Sequence, residues 1–354
     1  MNNNKELSAL SIGFAFAGSI LGAGYLSGQE RFQFFGAFGW WGLAGLGITL
    51  VLLASLSFVA MRLASHTGIV ELDIVLIPWE IPVLRFCAAF IEIFFFIATV
   101  IVMFAGGGAL LTDLFNIPIT VSSLIMCVAV SVVALSGIGG TIKAFSVLVP
   151  ITAIITVIFS IASVSAFGLP EMPASNGNNP LLGNWFISAI TFTSYNFFSA
   201  IGILAPMGSM IKKKGKITGG SIVGAALLML IAFSVLVAMF SLPESCDKSL
   251  PMLEVARRLN PVLCYPYGII LLFGMFGTSL FSLVAVLTFF EAKKPSLAKY
   301  KWLFILINAI VCYPLSLFGF GNLISVLYPI TGYISIVFIA CMIYHYIIKV
   351  CKRK

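Results

Sequence analysis

Residues 18–30 read GSILGAGYLSGQE. The stretch lies inside the first apolar segment and carries four glycines, two serines and a glutamate where a hydrophobic helix would carry Leu or Ala. Glycine weakens a helix by about 1 kcal/mol relative to Ala, so a break at Gly22–Gly24 is predicted. In hydrocarbon an unpaired backbone amide costs several kcal/mol, and an unwound stretch survives only when buried in protein or lining a wet cavity. There the freed N–H groups can hold a carboxylate and the freed carbonyls a hard cation such as sodium, with half-helix dipoles of matching sign. The competing reading is close packing by small residues. That role is assigned to Gly42, Gly45, Gly106 and Gly107.

Two further places carry chemistry. TFTSYNFFSAIG, Thr191–Gly202, sets Asn196 among aromatic rings and hydroxyls and is predicted to be a second, matching break. Glu92 falls about nine residues into its apolar segment, near the middle of a bilayer. An intramembrane carboxylate is a functional residue by default. It can carry a proton, ligate a cation, or serve as a hydrogen-bonded structural group between helices, and Thr99 shares its helix face. Asp113, toward the segment's far end, is expected to contact water.

The elements that must position these residues follow from composition. The 354 residues are 60% hydrophobic and 9% charged, with mean hydropathy +1.12. A soluble domain carries about 25% charged residues. The chain therefore reads as a polytopic all-α membrane protein with lipid as its solvent. Two histidines and seven scattered cysteines without C-x2-C spacing argue against a metal site. Cys246 and Cys264 share one polar connection, where a disulfide and two unpaired thiols are both open readings. No cleavable signal peptide is evident in MNNNKEL and the run after it.

About ten spans are predicted. They run Leu7–Phe35, Gly39–Leu63, Val83–Leu111, Ile119–Ser136 and Thr141–Phe167, then Asn184–Ile211, Ile217–Leu242, Tyr265–Phe290, Trp302–Phe318 and Asn322–Ile348. The segment HTGIVELDIVLIPWEIP is read as interfacial, and a short helix is expected around Met252–Leu259. With the N-terminus inside, sixteen Lys and Arg are cytoplasmic, and only Arg31, Lys248, Arg257 and Arg258 face out. Both termini are then cytoplasmic, in a cell membrane. Trp40, Trp41 and Trp185 fall at the outer interface and Trp302 at the inner one. The +8 net charge thus marks cytoplasmic loops and not a nucleic-acid surface. The polar loop Gly168–Gly183 divides one membrane domain into halves, 1–170 and 171–354, of five spans each. An odd number per half makes the second enter from the opposite side, the signature of a 5+5 inverted repeat with broken helices 1 and 6.

GSILGAGYLSGQERFQFFGAFG and SYNFFSAIGILAPMG resemble the signature stretches of the YkvI-like family of bacterial membrane proteins, and the resemblance spans essentially the whole chain. That family is similar to the amino acid–polyamine–organocation superfamily of the LeuT fold, with a 5+5 inverted repeat and alternating access. The resemblance implies a sodium site at the main-chain carbonyls of Gly18, Leu21 and Met275 and the hydroxyls of Thr278 and Ser279, the last three within GMFGTSLFS. A Thr-Ser pair can also bond its own helix backbone. The resemblance further implies a substrate carboxylate on the N–H groups of Gly22, Ala23 and Gly24, with Ser19, Tyr195, Asn196 and Phe198 lining the rest. Where sodium-coupled relatives carry an outer-gate arginine, this chain has Gly28, then Gln29 and Glu30. Gln29 and Glu30 are therefore assigned to the outer vestibule, with Glu30–Arg31 as the available gate pair.

No catalytic pattern occurs: neither H-E-x-x-H nor G-x-S-x-G is present, and GSMIKKKGKI lacks phosphate-loop spacing. The expected function is an ion-coupled symporter of an amino acid or similar small zwitterion, with Na+ or H+ as coupling ion. No other cofactor, enzymatic activity or obligatory protein partner is expected. The alternative is a receptor of the same fold that binds an amino acid without moving it. A channel is disfavoured by the lack of a filter-like carbonyl repeat or charged ring.

Overall fold

The computed structural model describes residues 8–69, 71–136, 141–171 and 179–351. The N-terminal MNNNKEL, the centre of the mid-chain polar loop and the last three basic residues lie outside the described residues.

The first apolar segment folds as three pieces. α1 (Ala9–Ile20) begins at Ser8, whose Oγ accepts the N–H of Ser11. Its 12 residues reach about 18 Å, short of a hydrocarbon core of about 30 Å. The rest of the crossing is made by α2 (Ala23–Ser27) and α3 (Gln29–Phe34). Then come α4 (Trp40–Thr67), α5 (Leu72–Leu76), α6 (Pro82–Phe115), α7 (Ile119–Ser136) and α8 (Thr141–Phe167). After the mid-chain loop follow α9 (Trp185–Ser209), α10 (Lys214–Phe240), α11 (Pro251–Leu259), α12 (Cys264–Lys293), α13 (Lys301–Ser316) and α14 (Phe320–Tyr346). Among the described residues, seven helices are long and apolar enough to cross a membrane, and α1, α7 and α13 are shorter apolar helices.

The sixth predicted span is not broken. α9 is one helix from Trp185 to Ser209. Three of its polar residues turn back on their own backbone: Thr193 Oγ1 donates to Ala189 O (2.7 Å), Ser194 Oγ to Ile190 O (2.7 Å) and Asn196 Nδ2 to Phe192 O (2.9 Å). Side-chain polarity satisfied within the helix leaves its ladder intact.

α1 packs on α10, α4 on α9, and α6 on α12. Small residues permit these approaches. A Cβ on Gly13 would stand 2.6 Å from Val223 Cγ1, and one on Gly42 would strike the Phe35 carbonyl. Gly106 abuts Phe320, Gly107 abuts Met126, and Gly45 sits in ordinary contact with Phe35 and Ala189. At one end of the bundle Trp41 and Trp185 stack at 5.4 Å. α11 caps the same end. Arg257 pairs with Asp113 (3.3 Å) and Glu254 (3.0 Å), and Arg258 pairs with Glu244 (3.1 Å) and Glu254 (3.0 Å). Asp113 is thus an ion-pair partner as well as a solvent-facing group. Cys246 and Cys264 are both free thiols, and the latter donates to Pro261 O at 2.9 Å.

Candidate functional site

The break in the first segment falls at Leu21–Gly22, slightly earlier than predicted, and Ala23 and Gly24 already belong to α2. The Gly22 N–H bonds Ile20 O at 2.7 Å instead of Gly18 O, and the Tyr25 N–H bonds Gly22 O at 3.1 Å instead of Leu21 O. The ladder therefore lets go of the carbonyls of Gly18 and Leu21. Gly22 faces α12: a Cβ there would stand 3.4 Å from Thr278 Oγ1. Next to it, Ser279 is fully buried and its hydroxyl has no hydrogen-bond partner. Met275, one turn earlier on α12, packs its methyl toward Gly106 of α6. A buried unmatched hydroxyl costs about 1–3 kcal/mol, so this position suits a ligand that coordinates oxygen.

A second discontinuity follows at Gly28, with φ +89°. Only glycine takes that conformation without strain, and a Cβ would lie 2.5 Å from Met239 Sδ. The turn re-aims α3, and Glu30 and Arg31 point into the protein. Glu30 is buried and Arg31 fully so. This corrects two expectations: Glu30 is not in a vestibule, and Arg31 does not face out. Charge counting assumes that a cation beside an apolar segment seeks water, whereas this one has a carboxylate and aromatic rings within reach.

Glu30 Oε1 accepts from Arg31 Nη2 at 2.8 Å and from the Tyr195 hydroxyl. Its other oxygen lies over Gly24, 2.6 Å from where a Cβ would stand, so any side chain at residue 24 would displace the carboxylate. The Arg31 guanidinium lies 3.4 Å from the Tyr25 ring centroid and 4.3 Å from that of Phe192. Tyr25 is pinned by its hydroxyl to Leu228 O of α10 (2.6 Å), and Tyr328 of α14 stacks on Tyr195 at 4.8 Å. Phe34 closes the chamber, 5.5 Å from both Phe192 and Tyr195.

Of the predicted substrate residues, Gly24 and Tyr195 meet at Glu30. The Ser19 hydroxyl donates to Phe16 O within its own helix (2.7 Å), and Asn196 likewise bonds Phe192 O. Phe198 lies apart, between Phe95 (6.1 Å) and Phe338 (6.3 Å). Gln29 does line a cavity of about 480 Å³ with Gln33, Asn179, Asp247, Lys248 and Asn322, and its Oε1 has no partner. Glu92 lies on α6, away from the other predicted site residues. It stands ten residues beyond Pro82 in the 34-residue α6, toward the end where Asp73 of α5 is its charged neighbour. Tyr25, Phe34, Phe192 and Tyr328 are site residues that the sequence reading missed, and Arg31 entered it only as a gate partner of Glu30. Only Arg31 carries a sequence signal, as a charge within an apolar segment.

No protein-family model matches the chain. The uncharacterized membrane protein YkvI of Bacillus subtilis (strain 168) is 25% identical over 340 residues, 95% of each chain. The uncharacterized protein YyaD of the same organism is 26% identical over 342 residues, 95% of this chain and 96% of that one. The chain is similar to both of these Bacillus subtilis proteins over nearly its whole length. Solved structures supply the fold. MhsT in complex with L-phenylalanine superposes with a TM-score of 0.70 at 16% identity, over 98% of both chains. Inward-facing Mhp1 gives 0.67 at 13% identity, over 98% of this chain and 80% of that one. A mutant manganese transporter of Eremococcus coleocola gives 0.52 at 14% identity, over 99% and 96%. The chain accordingly has the LeuT fold of these structures, with its broken first helix against α9, α10 and α12.

Proposed function

We propose that this protein is an ion-coupled secondary transporter that symports an amino acid or similar small zwitterion by alternating access. The observation that carries the reading is the break at Leu21–Gly22, which releases the Gly18 and Leu21 carbonyls and sets Gly22 against Thr278, the neighbour of the unmatched Ser279 hydroxyl. Carbonyls and hydroxyls are hard oxygen donors, suited to sodium. Beyond the second discontinuity at Gly28, the charged and aromatic chamber around Glu30 and Arg31 is the substrate site. The 480 Å³ cavity at Gln29 is its outer vestibule, with both termini in the cytoplasm.

Three points support this reading. Transporters share the fold, among them MhsT with bound L-phenylalanine. The packing of α1 on α10 and of α4 on α9 suits an exchange of two five-helix halves, which would swap those pairs and return α6–α12 to itself. No phosphate-binding motif in the sequence offers another energy source. The test is uptake of radiolabelled amino acids into proteoliposomes under imposed sodium or proton gradients. Gradient-dependent accumulation is expected. Flux indifferent to both gradients would remove the coupling, and binding without flux would make the protein a receptor.

A further inference from the structure

Glu30 and Arg31 are sequence neighbours on a helix, and such neighbours ordinarily diverge. Here both side chains enter one chamber, and their charges meet at 2.8 Å. The pairing is incomplete. A guanidinium has five N–H donors, yet at fully buried Arg31 only Nη2 has a partner, and both Nε and Nη1 have none. Aromatic rings lie over the cation and offer no acceptor oxygen to those nitrogens. Glu30 has its Oε1 engaged by Arg31 and Tyr195, and its Oε2 rests against Gly24.

We propose that Arg31 and Glu30 are the paired receptors for the two ends of a zwitterionic substrate, its carboxylate on the free donors of Arg31 and its ammonium on Glu30. This rests on the transporter reading and goes beyond it, because the sequence assigned the carboxylate to backbone N–H groups of Gly22–Gly24. The physical reason is charge balance. The chamber is neutral as a whole and walled by Tyr25, Phe34, Phe192, Tyr195 and Tyr328. A ligand carrying both charges keeps it neutral. An amine alone or a carboxylate alone leaves a net charge in a low-dielectric interior, which is costly. Selectivity therefore falls against both singly charged analogues, and changing one receptor redirects it. With Glu30→Gln the chamber is positive and favours the carboxylic acid; with Arg31→Gln it is negative and favours the amine.

The experiment uses the full chain in lipid nanodiscs. The proteinogenic amino acids are screened by thermal shift against wild type. The best binder is then compared by calorimetry with its decarboxylated amine and its deaminated acid, in wild type, Glu30→Gln, Arg31→Gln and Glu30→Gln/Arg31→Gln. The double variant leaves no uncompensated buried charge, so it remains informative if a single variant misfolds. Wild type is expected to prefer the amino acid over both analogues by roughly tenfold or more, about 1.4 kcal/mol. The single variants are expected to switch preference in opposite directions, and the double variant to lose the zwitterion preference. Amino-acid binding with an unchanged preference in the double variant, or in both folded single variants, would overturn the assignment and leave the transporter reading standing. Absence of any amino-acid binding to wild type would overturn the amino-acid reading and this assignment together.

Discussion

The Tyr195 hydroxyl of α9 donates to the Glu30 carboxylate of α3, joining residues 165 positions apart. This bond fastens the re-aimed part of the first segment to the centre of the bundle. Tyr195→Phe keeps the ring, its stacking on Tyr328 and the Glu30–Arg31 pair, and deletes only the donor. A hydrogen bond to a charged group is worth about 1.5–3 kcal/mol net, so a loss of that order is expected in reversible unfolding from mixed micelles. Unchanged stability would mean that the bond contributes nothing in the lipid-embedded protein.

Gly22 and Gly28 make an instructive contrast. Gly22 has φ −89°, which any residue adopts, and an added methyl would sit in ordinary contact with Thr278. Gly28 has φ +89° and no space on the Met239 side. Gly28→Ala is therefore expected to cost about 1–2 kcal/mol from backbone conformation alone, with overpacking against Met239 adding to it. Gly22→Ala is expected to fold with a smaller loss but to weaken any effect of sodium on stability. Thermal unfolding of both variants, with and without sodium, distinguishes the two roles; equal losses would contradict this account.

The break was legible because glycines crowd one apolar segment and glycine is costly in a helix. The place of Glu30 was not, because it depends on the positive φ of Gly28, and sequence spacing does not report a turn's direction. α9 misled for a related reason. Ser, Thr and Asn in an apolar helix can mark an unwound stretch or be satisfied by their own backbone, and here Thr193, Ser194 and Asn196 take the second course. Arg31 was misplaced because counting charges by loop assumes that each finds water. Tyr328 reaches the site from the last long helix, and its local sequence contains nothing that announces the encounter.

Ser279 offers a test with a sign that packing alone does not produce. Its buried hydroxyl is unmatched, so removing it with Ser279→Ala takes away an unsatisfied polar group. In sodium-free buffer the variant is expected to be as stable as wild type or more so. If the hydroxyl is a cation ligand, wild type gains stability with rising sodium, by about 1.4 kcal/mol for each tenfold excess over Kd, and the variant loses that gain. Thr278→Val, which keeps the side chain's shape, is expected to behave likewise. A sodium increment surviving in both variants would rule out the cation site; destabilisation of Ser279→Ala in sodium-free buffer would point to a structural role.

Cys246 gives a readout of the vestibule. It lines the cavity that contains Gln29, and its thiol is pushed up to about 12, first by burial and then by the Asp247 carboxylate beside it. The neutral thiol is the favoured form, so its contribution to stability is complete below the ordinary thiol range and is lost as pH rises toward 12. Only the thiolate reacts with a maleimide. In a variant whose other cysteines are serine, labelling is expected to be slow at neutral pH and to rise about tenfold per pH unit through pH 10, where an ordinary thiol levels off near its pKa of about 8.5. Asp247→Asn removes the raising charge and is expected to speed labelling at fixed pH. With a membrane-impermeant reagent, modification is expected from outside intact cells, because the cavity lies at the end of the bundle where Trp41 stacks on Trp185. Labelling only after permeabilisation would reverse the proposed orientation, since Cys246 and the vestibule share one face of the membrane.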